Sequence, residues 1–119
     1  MKPKRIDRLA SQLVREISDI LLRKLSDPRL SWVTITRAQI TPDLREAKVY
    51  FLTLDSGEQR SQTQEGLAHA AGFIRHELGR RVEWRVLPEL HFIVDEEAER
   101  TEQLLRKLTP PPPPAEPKE

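Results

Sequence analysis

The sequence predicts a small single-domain protein of the α+β class. Three observations indicate this: a long N-terminal segment with helical spacing of its apolar residues, two neighbouring segments rich in β-branched residues, and a second helical stretch followed by a third strand-like segment. The chain has 119 residues, which is the size of one domain. It contains no cysteine, so disulfides and thiolate metal sites are excluded.

The first element is an amphipathic helix over residues 6–25. Its apolar side chains recur at steps of three and four, which places them on one helix face. Pro28 ends the helix, because the residue before a proline is driven out of the helical region and the proline ring cannot continue the hydrogen-bond ladder. The apolar face consists of Ile6, Leu9, Ala10, Leu13, Ile17, Ile20, Leu21 and Leu25.

Two strands follow, over residues 32–40 and 46–54. Both are rich in β-branched and aromatic residues, which favour extended backbone. The segment between them contains Pro42 and Asp43, which have turn chemistry. The two strands are therefore expected to form an antiparallel hairpin.

Helical spacing returns over residues 63–81 and is interrupted by Gly72, which predicts two helices joined at that glycine, with Gly79 near the end of the second. Residues 84–95 alternate as a strand, and Pro88 within it indicates an edge position or a bulge. Residues 96–108 form a short terminal helix with acidic residues in its first turn. The predicted order is α-β-β-α-α-β-α.

Residues 1–108 are expected to form the domain, and the proline-rich segment 109–119 to remain a disordered tail. The chain contains no apolar stretch long enough to span a membrane and no apolar block typical of a signal peptide. These features favour a soluble cytoplasmic protein.

Charge is distributed unevenly along the chain although its net value is only +1. Residues 1–25 contain seven basic and three acidic side chains, whereas residues 89–107 contain six acidic and three basic ones. A nearly neutral protein can therefore present a basic face, which binding to phosphate groups requires.

Residues that could carry catalysis or metal binding do not form a convincing site in the sequence. The three histidines have no metal-ligand spacing, and the acidic run at 95–97 is explained as N-terminal acids of the last helix. Four aromatic residues could stack on bases, but their alternating strand pattern favours core packing. They are Trp32, Phe51, Trp84 and Phe92.

Several blocks of the chain resemble the ribosome-binding factor A family of bacterial small-subunit assembly factors. The resemblance implies a type II KH-like fold with an Ala-x-Gly kink between two helices, no enzymatic activity and no cofactor. It also implies binding to small-subunit ribosomal RNA during late maturation. The blocks are Arg5-Ile6-Asp7-Arg8, Asp27-Pro28, Pro42-Asp43-Leu44, Ala47-Lys48-Val49-Tyr50, Ala70-Ala71-Gly72-Phe73-Ile74-Arg75, and Arg85-Val86-Leu87-Pro88-Glu89-Leu90-His91-Phe92 with Asp95.

The kink is the first candidate for the RNA-binding site. KH domains normally clamp nucleotides with a Gly-x-x-Gly loop, which this chain lacks. Ala70 and Gly72 match the family's Ala-x-Gly kink, and their small side chains would let an RNA backbone approach closely. The alternative is that they are small because another helix packs against them. Gly72→Leu is expected to damage both the fold and RNA binding, because the close approach is lost.

Basic residues near the kink are the expected phosphate ligands, because long planar donors suit bidentate contact with phosphate oxygens. A second basic group lies at the start of the first helix, and Lys48 is added because it falls in a block of the family resemblance. The alternatives are surface ion pairs for the arginines and simple solubility for the N-terminal group. The candidates are Arg75, Arg80, Arg81 and Arg85, then Lys4, Arg5 and Arg8, and Lys48.

The expected function is non-catalytic binding to the free small ribosomal subunit, assisting late maturation of its rRNA, including processing of the rRNA end region. The protein is expected to act as a monomer, without a membrane or small-molecule partner. Replacing Arg80 and Arg81 together by alanine is expected to weaken RNA binding without harming the fold. The alternative function is a protein-interaction module that uses the sheet edge and the acidic last helix.

Overall fold

A computed structural model describes residues 3–30, 32–53 and 58–108, with the side chains of Pro3 and Lys4 outside the description. The proline-rich segment 109–119 lies outside the described residues. The elements are α1 (Pro3–Arg23), a short 3₁₀ helix (Pro28–Leu30), β1 (Val33–Ile40), β2 (Glu46–Thr53), α2 (Glu58–Arg81), β3 (Glu89–Val94) and α3 (Glu96–Leu108).

The three strands form one sheet in the order β1-β2-β3. β1 and β2 are antiparallel, which confirms the predicted hairpin, and β2 pairs with β3 in parallel. The hairpin loop contains Leu44, whose φ of 63° lies in the left-handed region. Asp43 supports this loop by accepting hydrogen bonds from the Thr41 hydroxyl (2.7 Å) and the Arg45 N–H (3.1 Å).

A bulge at Thr36 changes the inward-facing parity of β1. The register shifts between Ile35 and Arg37, so Ile35 is buried before the bulge and Ile40 after it. Both side chains join β2 and β3 residues in a core that α1 and α2 cover from the same face of the sheet. The core also contains Leu13, Ile17 and Ile20 of α1, Leu67, Ile74 and Leu78 of α2, and Ala47, Val49, Phe51, Leu90 and Phe92 of the sheet.

The predicted pair of middle helices is wrong, because α2 runs without interruption through Gly72. A glycine lowers helix stability by about 1 kcal/mol relative to alanine, but it keeps its N–H and so does not break the ladder. Ala70, Ala71 and Gly72 therefore lie within one helical element in this chain. Gly79 lies in the last turn of α2, near the predicted end.

The third strand is shorter than predicted and begins at Glu89, after Pro88. Residues 82–88 form a loop instead, and the side chain of Arg75 holds this loop by donating to the carbonyl oxygens of Pro88 (3.1 Å) and Leu87 (2.9 Å). The position of Pro88 before the strand removes the need for a bulge there.

Asp95 joins the last strand to the last helix. Its carboxylate accepts hydrogen bonds from the Ala98 N–H (3.0 Å), the Thr36 hydroxyl (2.6 Å) and Arg37 Nε (3.2 Å). The first of these contacts makes Asp95 the N-cap of α3, and the other two tie the helix start to the bulge of β1. Only 4% of this residue is exposed.

Candidate functional site

Two glycines of α2 form the floor of an open cleft. Gly72 and Gly79 are seven residues apart and therefore lie on the same side of the helix. The cleft has a volume of about 530 Å³, and Arg75, His76 and Arg80 line it together with a residue of the following loop, Leu87. We call this feature the glycine cleft. Sequence analysis did not assign Gly79 or His76 to the site. The seven-residue spacing of the two glycines would have indicated that this side of the helix is shared.

Gly72 is exposed and has open space above it. A Cβ atom built there would meet no atom within 4 Å, so neither a second helix nor a loop packs against this position in the described structure. Close packing at Gly72 is therefore not a reason for the expected damage by Gly72→Leu, and that expectation stays a prediction. Ala70, by contrast, is half-buried and packs against the core.

Gly79 allows a close contact instead. A Cβ atom there would lie 2.8 Å from Cδ1 of Leu87, so the absence of a side chain lets the 82–88 loop fold against α2. The hydrogen bonds from Arg75 fix the same loop. Arg75 therefore positions the loop with two of its donor groups, rather than presenting its whole guanidinium to solvent.

Arg80 and Arg81 differ although they are adjacent. The Arg81 side chain is 21% exposed, and its Nη1 lies 2.6 Å from Oδ2 of Asp19 on α1 and 4.0 Å from Glu16. This contact, followed by the one with Arg23, lowers the pKa of Asp19. Arg80 is 70% exposed and lies 3.6 Å from Glu77. The predicted effect of replacing both arginines assumes that both side chains are exposed, and this assumption is wrong for Arg81, which joins α1 to α2.

Arg85 places a further positive charge on the 82–88 loop, which contacts α1. It is exposed and has no hydrogen bond or ion pair with any residue that the structure describes. Its neighbour Trp84 donates from Nε1 to Gln12 Oε1 (3.2 Å), which holds the loop against α1. Arg5 and Arg8 lie seven and four residues before Gln12, on the same side of α1, and both are exposed.

We call the residues Arg5, Arg8, Arg80 and Arg85 the basic surface. Of these four predicted site residues, Arg80 lines the glycine cleft, Arg85 lies on the 82–88 loop, and Arg5 and Arg8 lie on α1. Lys4 is in the first turn of α1, and its side chain is outside the described part of the structure. Lys48 does not join them, because it lies on β2 and faces away from the helices, beside Glu46 and His91.

Groups that could hold a metal ion are found on this open face of the sheet. Among the described residues, Glu46, Glu89 and His91 place ligand atoms within 4.8 Å of one another, and all three residues are exposed. His91 Nε2 lies 3.2 Å from Glu46 Oε1, so a cross-strand contact already joins two of them. Within the described ranges, no helix has the length and apolar character needed to cross a membrane.

The element order and the three-stranded sheet with helices on one face define a KH-like α+β domain. Residues 5–108 match the ribosome-binding factor A family. The chain belongs to this family.

Relatives support the same assignment. The ribosome-binding factor A of Acetivibrio thermocellus is 50% identical over 97 residues, which cover 81% of this chain and 79% of that protein. The protein of the same name from Dechloromonas aromatica is 45% identical over 96 residues, covering 81% and 77%.

Solved structures of the family have the same fold. The crystal structure of ribosome-binding factor A from Thermus thermophilus aligns with a TM-score of 0.69 and 27% identity, over 75% of this chain and 93% of that one. A homology model of the Thermus thermophilus factor, fitted into the cryo-EM map of a 30S complex with that factor, aligns with a TM-score of 0.62 and 28% identity, over 74% of this chain and 92% of that one.

Proposed function

We propose that this protein binds the free small ribosomal subunit in the cytoplasm and assists late maturation of its rRNA, including processing of the rRNA end region, without catalysing a reaction itself. The observation that carries this proposal is the set of exposed arginines on α1, α2 and the 82–88 loop, of which Arg80 lines the glycine cleft beside the exposed Gly72. The family relationship and the 30S complex of the Thermus thermophilus relative support it.

Phosphate contacts supply the affinity in this proposal. Arg80 presents an exposed guanidinium group at the glycine cleft, Arg85 is exposed on the following loop, and Arg5 and Arg8 are exposed on α1. Guanidinium groups bind phosphate oxygens in a bidentate manner, and RNA duplexes are recognised mainly through backbone and shape. Gly72 leaves room for a sugar-phosphate backbone to contact the helix directly.

Co-sedimentation with free small subunits and with complete ribosomes tests this function. We expect binding to the free subunit that weakens steeply as the salt concentration rises. Replacing Arg80 and Arg85 together by alanine should weaken binding and reduce the log-log salt slope by about 0.7 to 0.9 for each lost phosphate contact. The matched control is the double alanine variant of Arg100 and Arg106 on α3, which removes the same charge elsewhere and should bind normally. Equal binding by both double variants would contradict the proposal.

A protein-docking role is the second candidate function, and α3 is the feature that favours it. Leu104, Leu105 and Leu108 are 56%, 56% and 70% exposed on one side of this helix, next to an acidic first turn. An amphipathic helix with an unpartnered apolar side suits a protein partner. Replacing Leu104 and Leu108 by serine should abolish such docking and leave salt-sensitive binding to the subunit unchanged.

A further inference from the structure

Trp32 is the largest exposed apolar side chain outside the glycine cleft and α3. It follows the 3₁₀ helix, precedes β1 and is 67% exposed, so the sequence-based expectation of core packing is wrong for this residue. The other tryptophan, Trp84, is half-buried and hydrogen-bonded to Gln12. The indole N–H of Trp32 has no partner among the described residues, so both the ring face and its donor are available.

The surface beside Trp32 is a polar cleft of about 350 Å³. Its opposite wall is the first part of α2, including Gln62 and Thr63, and its floor includes Arg29. The Thr63 hydroxyl donates to the Arg29 carbonyl oxygen (3.0 Å), and the Arg29 guanidinium binds the Asp27 carboxylate at 2.7 Å. These contacts fix the wall and floor before any ligand arrives.

The chemistry of this cleft suits a flat heteroaromatic base better than a phosphate. The side chain of Asp27 neutralises Arg29, and this contact lowers the pKa of Asp27, so the cleft lacks a free cation among its described lining residues. The exposed ring can stack on a base, and the Gln62 amide can donate and accept hydrogen bonds at a base edge. Stacking of this kind tolerates any base sequence.

One exposed side of α2 runs from the cleft beside Trp32 to the glycine cleft. Gln62, His69, Phe73 and Arg80 are separated by seven, four and seven residues, so they share one side of the helix. Phe73 is 41% exposed, and the distance from Gln62 to Arg80 along the helix is about 27 Å at 1.5 Å per residue. Glu65 is an acidic residue near this track, and its charge faces that of Arg29.

We propose that Trp32 is a stacking platform for an unpaired base of an RNA strand that runs along α2 and whose phosphates contact the basic surface at the glycine cleft. The inference rests on the proposed function, since it names the form of RNA that this surface takes. In this proposal, contacts with phosphate groups supply affinity near the C-terminal end of α2, and stacking on the Trp32 ring supplies affinity near its N-terminal end. The two contributions respond differently to salt and to base pairing.

The test uses the full chain with a single-stranded RNA oligonucleotide of twelve nucleotides and a duplex of the same length. Trp32→Ala should weaken binding of the single strand by about tenfold, leave the salt slope unchanged and leave duplex binding unchanged. Trp32→Phe should retain most of the affinity, because phenylalanine also stacks on bases. The matched control is Leu22→Ala, since Leu22 is 78% exposed and apolar but lies outside the cleft.

Intrinsic fluorescence supplies an independent readout. Binding of the single strand should quench tryptophan emission in the wild type, and the quenching should disappear in Trp32→Phe, where Trp84 is the remaining tryptophan. Thermal unfolding of each variant confirms that the fold is kept. Unchanged single-strand affinity in Trp32→Ala, an equal loss in Leu22→Ala, or no binding of the oligonucleotide by the wild type would overturn the inference.

The outcomes separate this inference from the proposed function. Wild-type binding to the small subunit together with Trp32-independent binding to single strands overturns the stacking platform and leaves the subunit role standing. Trp32-dependent binding to single strands without any binding to the subunit supports the platform and removes the proposed function. If the subunit is bound through Trp32 while single strands are not, the occupant is a folded component of the subunit rather than an unpaired strand, and the inference fails.

Discussion

The junction of β3 and α3 at Asp95 and the basic surface differ in the burial and pairing of their charged side chains. Asp95 is buried and hydrogen-bonded, whereas the arginines of the basic surface are exposed. At the junction, a nearly buried carboxylate accepts three hydrogen bonds, and Arg37 donates one of them while its guanidinium lies 3.8 Å from the centre of the Tyr50 ring. On the basic surface, Arg85 is exposed without a partner in the described structure, and Arg80 has one contact at 3.6 Å. Charged side chains therefore stabilise the fold at the junction, whereas on the basic surface they remain available to bind a partner.

This difference teaches which substitutions should affect stability and which should affect binding. A buried charge whose partners are removed loses far more free energy than a surface charge, because the remaining groups stay desolvated. Exposed ion pairs contribute little to stability. The comparison is open to direct tests, in which the free energy of unfolding and the affinity for the small subunit should change independently.

Asp95→Ala should give the largest loss of stability. It removes the N-cap of α3 and the short hydrogen bond from Thr36, whose hydroxyl retains only its 3.3 Å contact with the Tyr50 carbonyl oxygen. Arg37 also loses its ion pair but is partly exposed to water, so the free energy of unfolding should fall by about 2 kcal/mol. Urea denaturation at pH 7 measures this value, and subunit binding at low temperature should persist. A loss below about 1 kcal/mol would mean that the junction is not a stabilising network.

Acidification should weaken the same region to a smaller degree. Burial by itself would raise the pKa of Asp95, but the hydrogen bonds from Thr36, Ala98 and Arg37 outweigh it and hold the pKa below its ordinary value. A carboxylate with a lowered folded-state pKa stabilises the fold above its unfolded-state pKa, and this contribution is lost as the pH falls through the lower value. Urea midpoints should therefore decrease below about pH 4.

Asp95→Asn tests the origin of that acid sensitivity. The variant should show a smaller decrease below about pH 4 than the wild type, because one of the carboxylates with a lowered pKa is gone. Asp19, Asp27 and Asp43 also have lowered pKa values and should preserve part of the slope. Identical pH profiles for the two proteins would assign the effect to these other carboxylates.

Arg81→Ala and Arg80→Ala should separate stability from binding within one pair of neighbours. Arg81→Ala removes the contact between α2 and Asp19 of α1 and should lower the urea midpoint, with a smaller effect on affinity. Arg80→Ala should leave the midpoint unchanged and weaken subunit binding. A cycle with Asp19→Ala measures the coupling at Arg81. The comparison fails if the two variants behave alike.

Gly72→Ala should give the smallest change in stability, and a favourable one. A Cβ there meets nothing within 4 Å, so the substitution should raise the free energy of unfolding by about 0.5–1 kcal/mol through helix propensity. Affinity should nevertheless decrease if an RNA backbone contacts this position. Gly79→Ala is the control, because its Cβ would lie 2.8 Å from Leu87 and should cancel the gain.

The sequence predicts most of the fold because its main elements depend on local patterns. The apolar spacing of the first helix, the β-branched strands and the acidic start of the last helix each specify a structure within a few residues. Sequence analysis was wrong at Gly72 and in residues 84–88. At Gly72, the two preceding alanines outweigh the low helix propensity of glycine. In residues 84–88, the side chain of Arg75 on α2 donates hydrogen bonds to the carbonyl oxygens of Leu87 and Pro88 and holds them in a loop.

The residue types of the candidate site were predictable from the sequence, but the exposure and ion pairing of each residue were not. The arginine-rich segment 75–85 indicates a basic surface, yet the partner of Arg81 is Asp19, which lies sixty-two residues away in the chain. The exposure of Trp32 is equally non-local, since an apolar residue beside a strand pattern is normally buried. Ion pairing and burial across distant elements become visible only when the elements are assembled.

The bulge at Thr36 adds one residue to β1 while both halves of the strand keep apolar side chains on the core face. Because this extra residue switches the parity of the strand, Val33 and Ile35 face the helices before it and Ala38 and Ile40 face them after it. Deleting Thr36 would restore a regular strand and leave both pairs facing the core, but it would remove the hydroxyl that donates to Asp95. An alignment gap at this position would therefore mark a relative that keeps the core and lacks this contact between β1 and the start of α3.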